Sequence, residues 1–552
     1  MSAVPDRPAA RRPRRLAPAP RPRSAPPGPG WRGRAGIRFV LLHLGLMLGH
    51  LLVLFNSGAF ASLTLHASGD LGVAPSHGTS LTTYYFVGLA LALPTAGWLS
   101  GRFGERRLFV LAMLGVALGS GLCALAEELA PFVAGRILQG FCGGAALPVS
   151  QSLLMREYPV EERPFALSLW SIAALSPFTL GPVAGGWLAD RYGWRALFYL
   201  NPPLALLSAG LALTLLVEHR PAHRPGQFDG IGFALLALAL FCLQTVLNRG
   251  QDEDWYHSPR LIALAGIGLA ALLAFLVWAW GERYPLVDLR LFARRNFAIG
   301  TLALSLGFLL MYGLLSLLLV RLQSVAGYTA LWAGASLVPL ALLAKPAAVV
   351  LHRLVQRYDA RLLASVDLGL FAVFCLWTSG YDFFGRLGWF TGLLGSQVLE
   401  GLCLGCLFVP LTALFLSDLP PRRQIQAAEL SGLLRVMAGA VGSSSLGVLW
   451  EHRLAFHQNR LTETLNRYDP AVREAVAVLR AQGLDPLPAT AQLAQWARQH
   501  AAILSLDDAF RWAGYGFLGL AALVWLARPS GRPPRGPAAT RQTALEDLVE
   551  EP

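Results

Sequence analysis

The chain has 552 residues, 54% of them hydrophobic and only 14% charged, with a formal net charge of +13. That is too little charge to cover a soluble protein of this length. Lipid leaves the backbone to satisfy itself in helices or closed barrels, and the apolar runs are too long and too uniform for barrel strands. The basic excess does not mark a nucleic-acid binder: 45 of the 46 basic residues are arginine, they cluster in short connections, and no zinc-finger, RNA-binding or helix-turn-helix signature accompanies them.

Residues 1–36 hold nine Arg, nine Pro and a single acidic residue, Asp6. Such a tail cannot bury a core; it is expected to be disordered and to rest near anionic cytoplasmic lipid. Fourteen spans then follow, at 39–62, 80–100, 107–126, 131–155, 165–189, 194–217, 229–247, 260–280, 297–320, 331–351, 362–379, 388–416, 427–450 and 508–527. With the tail inside, the short cytoplasmic connections carry sixteen arginines and the short outer ones six, which supports that orientation and places both termini in the cytoplasm. The outer connection 451–507 is long and has helical patterning at Leu454, Leu461 and Leu465; it is either a docking surface or a plain insertion. All six cysteines fall in apolar segments, and Cys403-x-x-Cys406 reads as small buried residues rather than a redox pair.

Two stretches recur. Arg102-Phe103-Gly104-Glu105-Arg106-Arg107 after the second span is echoed by Arg357-Tyr358-Asp359-Ala360-Arg361 after the tenth. Ile137-Leu138-Gln139-Gly140 in the fourth span is echoed by Val398-Leu399-Glu400-Gly401 in the twelfth, with Cys142 and Cys403 at the same offset. Repeated halves are a hallmark of transporters. The echoes make spans seven and eight an insert. The expected organisation is a tail (1–36), a first six-helix half (37–217), a two-helix insert with a cytoplasmic linker (218–296), a second half including the outer loop (297–527) and a cytoplasmic tail (528–552). The fold class is all-α, a polytopic membrane protein of fourteen transmembrane helices.

The loop after span two reads GWLSGRFGERR, with Gly97, Leu99, Arg102, Gly104, Arg106 and Arg107 matching G-x-L-x-D-R-x-G-R-R and Gly101 in place of its Asp. Span four reads GRILQG, and span five reads LGPVAGGWL with Gly181, Pro182, Gly185 and Gly186. On these motifs, over about residues 50–530, the chain resembles the major facilitator superfamily, in particular its 14-span drug:proton antiporter branch of EmrB type. The resemblance implies the major facilitator fold. It also implies export of small amphipathic compounds across the inner membrane in exchange for protons, driven by the proton-motive force with no cofactor. A periplasmic adaptor and an outer-membrane channel are the partners it implies. A facilitator or importer on the same fold is the alternative, because fold does not fix direction. No nucleotide loop, metal cluster or nucleophile motif points to an enzyme.

Charges inside spans are costly and mark function by default. Arg136 is the intramembrane arginine of the fourth span, with Gln139 one turn on, and the resemblance assigns it to substrate or proton handling. The family's span-one Asp is replaced by Asn56, which cannot titrate, so another group must carry the proton. His43 and His50, seven apart on one helix face, serve either as a proton relay or as interhelical hydrogen bonders. Glu400 in mid-span is a candidate coupling carboxylate. Asp367 and Lys345 are expected nearer span ends, where they either act in transport or pair across helices, and Arg435 is a candidate partner for a second-half carboxylate.

Overall fold

Backbone groups placed in lipid must pair within their own segment. The computed structural model meets that demand with helices and describes residues 36–73, 78, 80–158, 180–217, 226–380, 393–464, 468–482 and 485–529; no strand occurs among them. The helices are α1 (Ile37–Asp70), α2 (Ser80–Phe103), α3 (Glu105–Leu125), α4 (Leu129–Glu157), α5 (Leu180–Tyr192), α6 (Arg195–Leu215), α7 (Gly230–Arg249), α8 (Pro259–Gly281), α9 (Arg295–Ser324), α10 (Ala330–Ala335), α11 (Val338–Val355), α12 (Ala360–Thr378), α13 (Leu393–Leu416), α14 (Pro421–Thr464), α15 (Pro470–Ala481) and α16 (Pro486–Leu523). Twelve spans among the described residues are long and apolar enough to cross a membrane, with α10 and α11 together forming one. The other two of the fourteen are α2, whose apolar run is diluted by Thr82, Thr83, Tyr84 and Tyr85, and the fifth span, described from Leu180 onward. The chain is a multi-pass membrane protein.

Three boundaries differ from expectation. Span ten is broken at Ser336–Leu337 into α10 and α11. The thirteenth helix does not stop near 450 but runs to Thr464, and the fourteenth begins at Pro486 rather than 508. The segment 451–507 is therefore mostly the extended ends of α14 and α16, joined through α15. Each extension is polar on the outside, so it lacks the apolar window that marks a span. At their root, Asp508 Oδ2 accepts a hydrogen bond from Arg453 Nε at 2.6 Å and lies 2.7 Å from His457 Nε2. The Arg321 guanidinium sits on the Trp450 ring.

The two sets of six spans pack alike. In the first, α2 and α3 pack on α4, α3 on α6, and α1 on α4, α5 and α6; in the second, α11 and α12 pack on α13, α12 on α16, and α9 on α13, α14 and α16. The insert helices α7 and α8 pack on each other, and α7 also reaches α2 and α14. Glycines set the matching register. A Cβ at Gly140 would collide with Tyr85 O, and one at Gly401 would lie 2.7 Å from Leu340 O, so α4 and α13 each approach a neighbouring backbone too closely for a side chain. The repeated loop arginines also match: Arg106 donates to Leu213 O at the end of α6, and Arg361 donates to Ala527 O just beyond α16, at 3.0 Å. A cation at a helix C-terminus satisfies unpaired carbonyls and the helix dipole. Gly104 joins α2 to α3 at φ +84°, a backbone conformation that disfavours any side chain.

Candidate functional site

Arg136 lies two turns inside the start of α4 with no exposed surface. Its Nη1 donates to Asn56 Oδ1 on α1 at 2.7 Å and to Gln139 Oε1 at 2.8 Å, and its Nε points to Leu81 O at 3.4 Å. Gln139 Nε2 in turn donates to Ser120 Oγ on α3 at 2.7 Å. The guanidinium is sandwiched by Phe60 and Tyr85, each ring centroid 4.5 Å away, with Phe198 at 5.8 Å. Arg136 Nη2 and Asn56 Nδ2 find no hydrogen-bond partner among the described residues. Every acceptor is thus a neutral amide or carbonyl oxygen. A planar, delocalised cation stacked on rings tolerates such a site better than a compact ammonium does, and it retains a donor for an incoming group.

From this site an aromatic path runs between the halves. Phe86 meets Tyr312 of α9 edge-on at 5.0 Å, Tyr312 stacks on Phe308 at 5.8 Å, and the Arg435 guanidinium of α14 lies over Phe308 and Phe408 at 5.6 and 5.2 Å. Arg435 therefore faces rings, with no ion pair to a carboxylate among the described residues. The second half's counterpart of the Arg136 position is Gln397, and that of Gln139 is Glu400. Both are buried, as is Asp367 on α12, two turns inside its helix rather than near an end. The sequence repeat thus places an arginine and an amide in one half, an amide and a carboxyl in the other.

His43 and His50 both face α4. His50 Nδ1 lies 2.9 Å from Ser150 Oγ, and His43 Nδ1 lies 3.1 Å from the Tyr158 hydroxyl. Ser150 is fourteen residues from Arg136 along α4, about 21 Å at helical rise, so these histidines are not part of the arginine site. In the loop motif, Arg102 is exposed, Glu105 pairs with Arg156 at 3.0 Å, and a Cβ at Gly97 would meet Glu429 Oε1 of α14 at 3.5 Å. Glu429 was not anticipated; its only sequence signal is a carboxylate near the start of a span.

The LGPVAGGWL motif lies where the halves meet. Gly181 and Gly185 press α5 onto Gly58 and Ala59 of α1, whereas Gly186 packs directly against Ala330 and Leu331 of α10, and Gly334 returns the contact against Pro182. Asp190 accepts from Ala330 N at 3.2 Å and Leu331 N at 3.0 Å, capping α10 from the opposite half. Gln323 Nε2 of α9 donates to Ser62 O of α1 at 3.1 Å, and Ser62 Oγ to Pro182 O at 2.9 Å. This end of the bundle is sealed by backbone-to-backbone contact.

The insert adds a further tie. Asn248 Oδ1 of α7 accepts from Ser444 Oγ of α14 at 2.7 Å, and its Nδ2 donates to Thr83 Oγ1 of α2 at 2.9 Å; Gln244 Nε2 donates to Ser444 Oγ at 2.8 Å. All four side chains are buried. Replacing Asn248 with leucine leaves such partners unpaired, at a cost of about 2 kcal/mol. The expected result is a lower melting temperature for the detergent-solubilised protein by tryptophan fluorescence; an unchanged melt would show that the insert does not tie α2 to α14.

Residues 46–443 match the family model described as Major Facilitator Superfamily. The chain is 34% identical over 496 residues to "Multidrug export protein EmrB" of Haemophilus influenzae, covering 90% of this chain and 96% of that one. It is 35% identical over 495 residues to "Fatty acid resistance protein FarB" of Neisseria gonorrhoeae, covering 90% and 97%. Among solved structures, an inward-facing bacterial homologue of the human lysosomal transporter Spinster superposes with a TM-score of 0.58 at 15% identity, covering 89% and 96%, a likeness of fold alone.

Proposed function

The chain belongs to the major facilitator superfamily as an EmrB-like member, and from that premise we propose that it exports small amphipathic organic compounds across the inner membrane by alternating access, in exchange for protons. The observation that carries this reading is Arg136: a charge buried inside an apolar span by amide oxygens and ring faces, with an unused donor, is expensive to keep without a ligand. Phe60, Tyr85 and Phe198 supply apolar contact, the guanidinium supplies polar contact, and the two together suit an amphipath. With Asn56 in place of a carboxylate, the site is uncompensated, which favours amphipaths with an acidic head group among the substrates. That preference is in keeping with the name of one relative, a fatty acid resistance protein.

In this reading both termini are cytoplasmic, and the seam at Gly186 and Asp190 is the outer gate. The proton gradient supplies the energy, and no cofactor or covalent step is involved. The polar ends of α14 and α16 with α15 stand on the periplasmic side, where an adaptor leading to an outer-membrane channel would dock. The test uses everted vesicles containing the protein, a pH-sensitive dye, and a panel of lipophilic cations and weak acids. Substrate-triggered proton release is expected. Substrate flux without proton movement would replace this reading with the facilitator alternative, which Asn56 favours.

A further inference from the structure

We infer that Arg435 of α14 is a second head-group site of this transporter, the one an acidic amphipath meets first from the cytoplasm, with Arg136 the one it meets last; the inference rests on the export reading above and divides its substrate path into two stations. The Arg435 guanidinium lies over Phe308 of α9 and Phe408 of α13, 5.6 and 5.2 Å from the ring centroids, and the two rings are 6.2 Å apart. It makes no hydrogen bond and no ion pair among the described residues. The side chain is only half-buried, and none of its nitrogens is sealed off by protein as Arg136 Nη2 is. Its donors therefore open onto space inside the bundle.

The helix is shaped around this side chain. A Cβ at Gly439, one turn beyond, would lie 2.7 Å from Cε1 of Phe308, so only a glycine lets that ring rest against α14. A Cβ at Gly432, just under a turn before, would meet Leu93 Cδ1 of α2 at 3.5 Å. Arg435 thus stands on the face of α14 that looks across to the first half. The nearest acidic residue on the helix, Glu429, is six residues back, about 9 Å along the axis and off that face. A fork of open donors beside two apolar rings recognises an anionic head with an apolar body: the guanidinium takes the acid group, Phe308 and Phe408 the chain. A lipophilic cation gains the rings but meets a like charge.

The two arginines lie at different depths. In the orientation above, α14 enters from the cytoplasm and α4 from the outside, and Arg136 is seven residues from the outer start of α4. Phe60 and Phe198, which cage Arg136, share a packed cluster with Ala330, the residue that Gly186 meets at the outer seam. Phe308 and Tyr312 belong to a separate cluster. Between the cations run the rings of Tyr312, Phe86 and Tyr85. A head group released by Arg435 has apolar faces to follow and a second guanidinium at their end, beneath the seal.

The test reconstitutes the full chain in phosphatidylcholine liposomes and measures initial rates of pH-gradient-driven transport of decanesulfonate and tetraphenylphosphonium. Arg435→Gln is expected to raise the KM for decanesulfonate at least tenfold with kcat within twofold, and to leave the KM for tetraphenylphosphonium within twofold. Arg435→Lys, which keeps the charge and loses the fork, should fall between. A variant that still carries tetraphenylphosphonium is folded, so a loss confined to the sulfonate belongs to the head group. An unchanged KM for decanesulfonate, or equal losses for both probes, overturns the assignment and leaves export standing. So does a parent that carries tetraphenylphosphonium and not decanesulfonate. Adding phosphatidylglycerol to the vesicles should leave the KM unchanged; a rise in the parent that is absent from Arg435→Gln would give the site to a lipid phosphate and overturn the assignment too. A parent that carries neither probe overturns the export reading itself.

Discussion

Arg136→Ala is expected to abolish export, lowering proton-driven transport of an amphipathic dye in everted vesicles about 100-fold or more at equal protein abundance. The arginine makes two short charge-assisted hydrogen bonds, to Asn56 and Gln139, and stacks between Phe60 and Tyr85. Contacts of this kind contribute roughly 1.5–3 kcal/mol each, and each 1.4 kcal/mol is about tenfold. Truncation also leaves the Gln139 and Asn56 oxygens buried without a donor. Arg136→Lys should fall between, because an ammonium cannot reach both amides while lying flat on two rings. Asn56→Asp is the informative partner. It sets a carboxylate 2.7 Å from the guanidinium's position, neutralises the site, and should weaken transport of acidic amphipaths while sparing cations. Wild-type transport by Arg136→Ala would remove the arginine from the substrate site.

Much of this was legible in the sequence, and for physical reasons. Arg136 announced itself because a charge in an apolar run has no cheap explanation. The echo of Gln139-Gly140 in Glu400-Gly401 was readable because each glycine is fixed by a backbone contact that leaves no room for a side chain. The shared face of His43 and His50 follows from helical spacing, but their partners Ser150 and Tyr158 do not. Phe60, Tyr85 and Phe198 were invisible as site residues: period and hydropathy say only that they are buried, not that their rings converge on one cation. Asp190 was missed for the same reason, since its partners lie 140 residues away on α10. The extended ends of α14 and α16 escaped because hydropathy marks where lipid ends, not where a helix ends.

The seam between α5 and α10 yields the second large effect. Gly186→Val is expected to prevent closure of that end and to lower export at least tenfold without loss of folded protein. A Cβ at 186 would overlap Ala330 O and Leu331 N, and one at Gly334 would overlap Pro182 O, so backbone must move on both sides. Overpacking of this kind costs about 1–3 kcal/mol, and here the penalty falls on the sealed state alone. Acting on a two-state equilibrium, it shifts the populations by about 5–150-fold. Asp190→Ala should act in the same direction but more weakly, because it removes the cap of α10 without inserting bulk. Spin labels at Tyr192→Cys and Trp332→Cys, both exposed beside the seam, report the state directly by pulsed dipolar spectroscopy. Gly186→Val should move their distance distribution to longer values. Gly210→Val on α6, where a Cβ meets open space, should leave both the distances and transport unchanged. Unaltered distances in Gly186→Val would mean that this contact is not a gate but permanent packing, because a seam that opens in each cycle cannot absorb a methyl group at its tightest point without changing its balance.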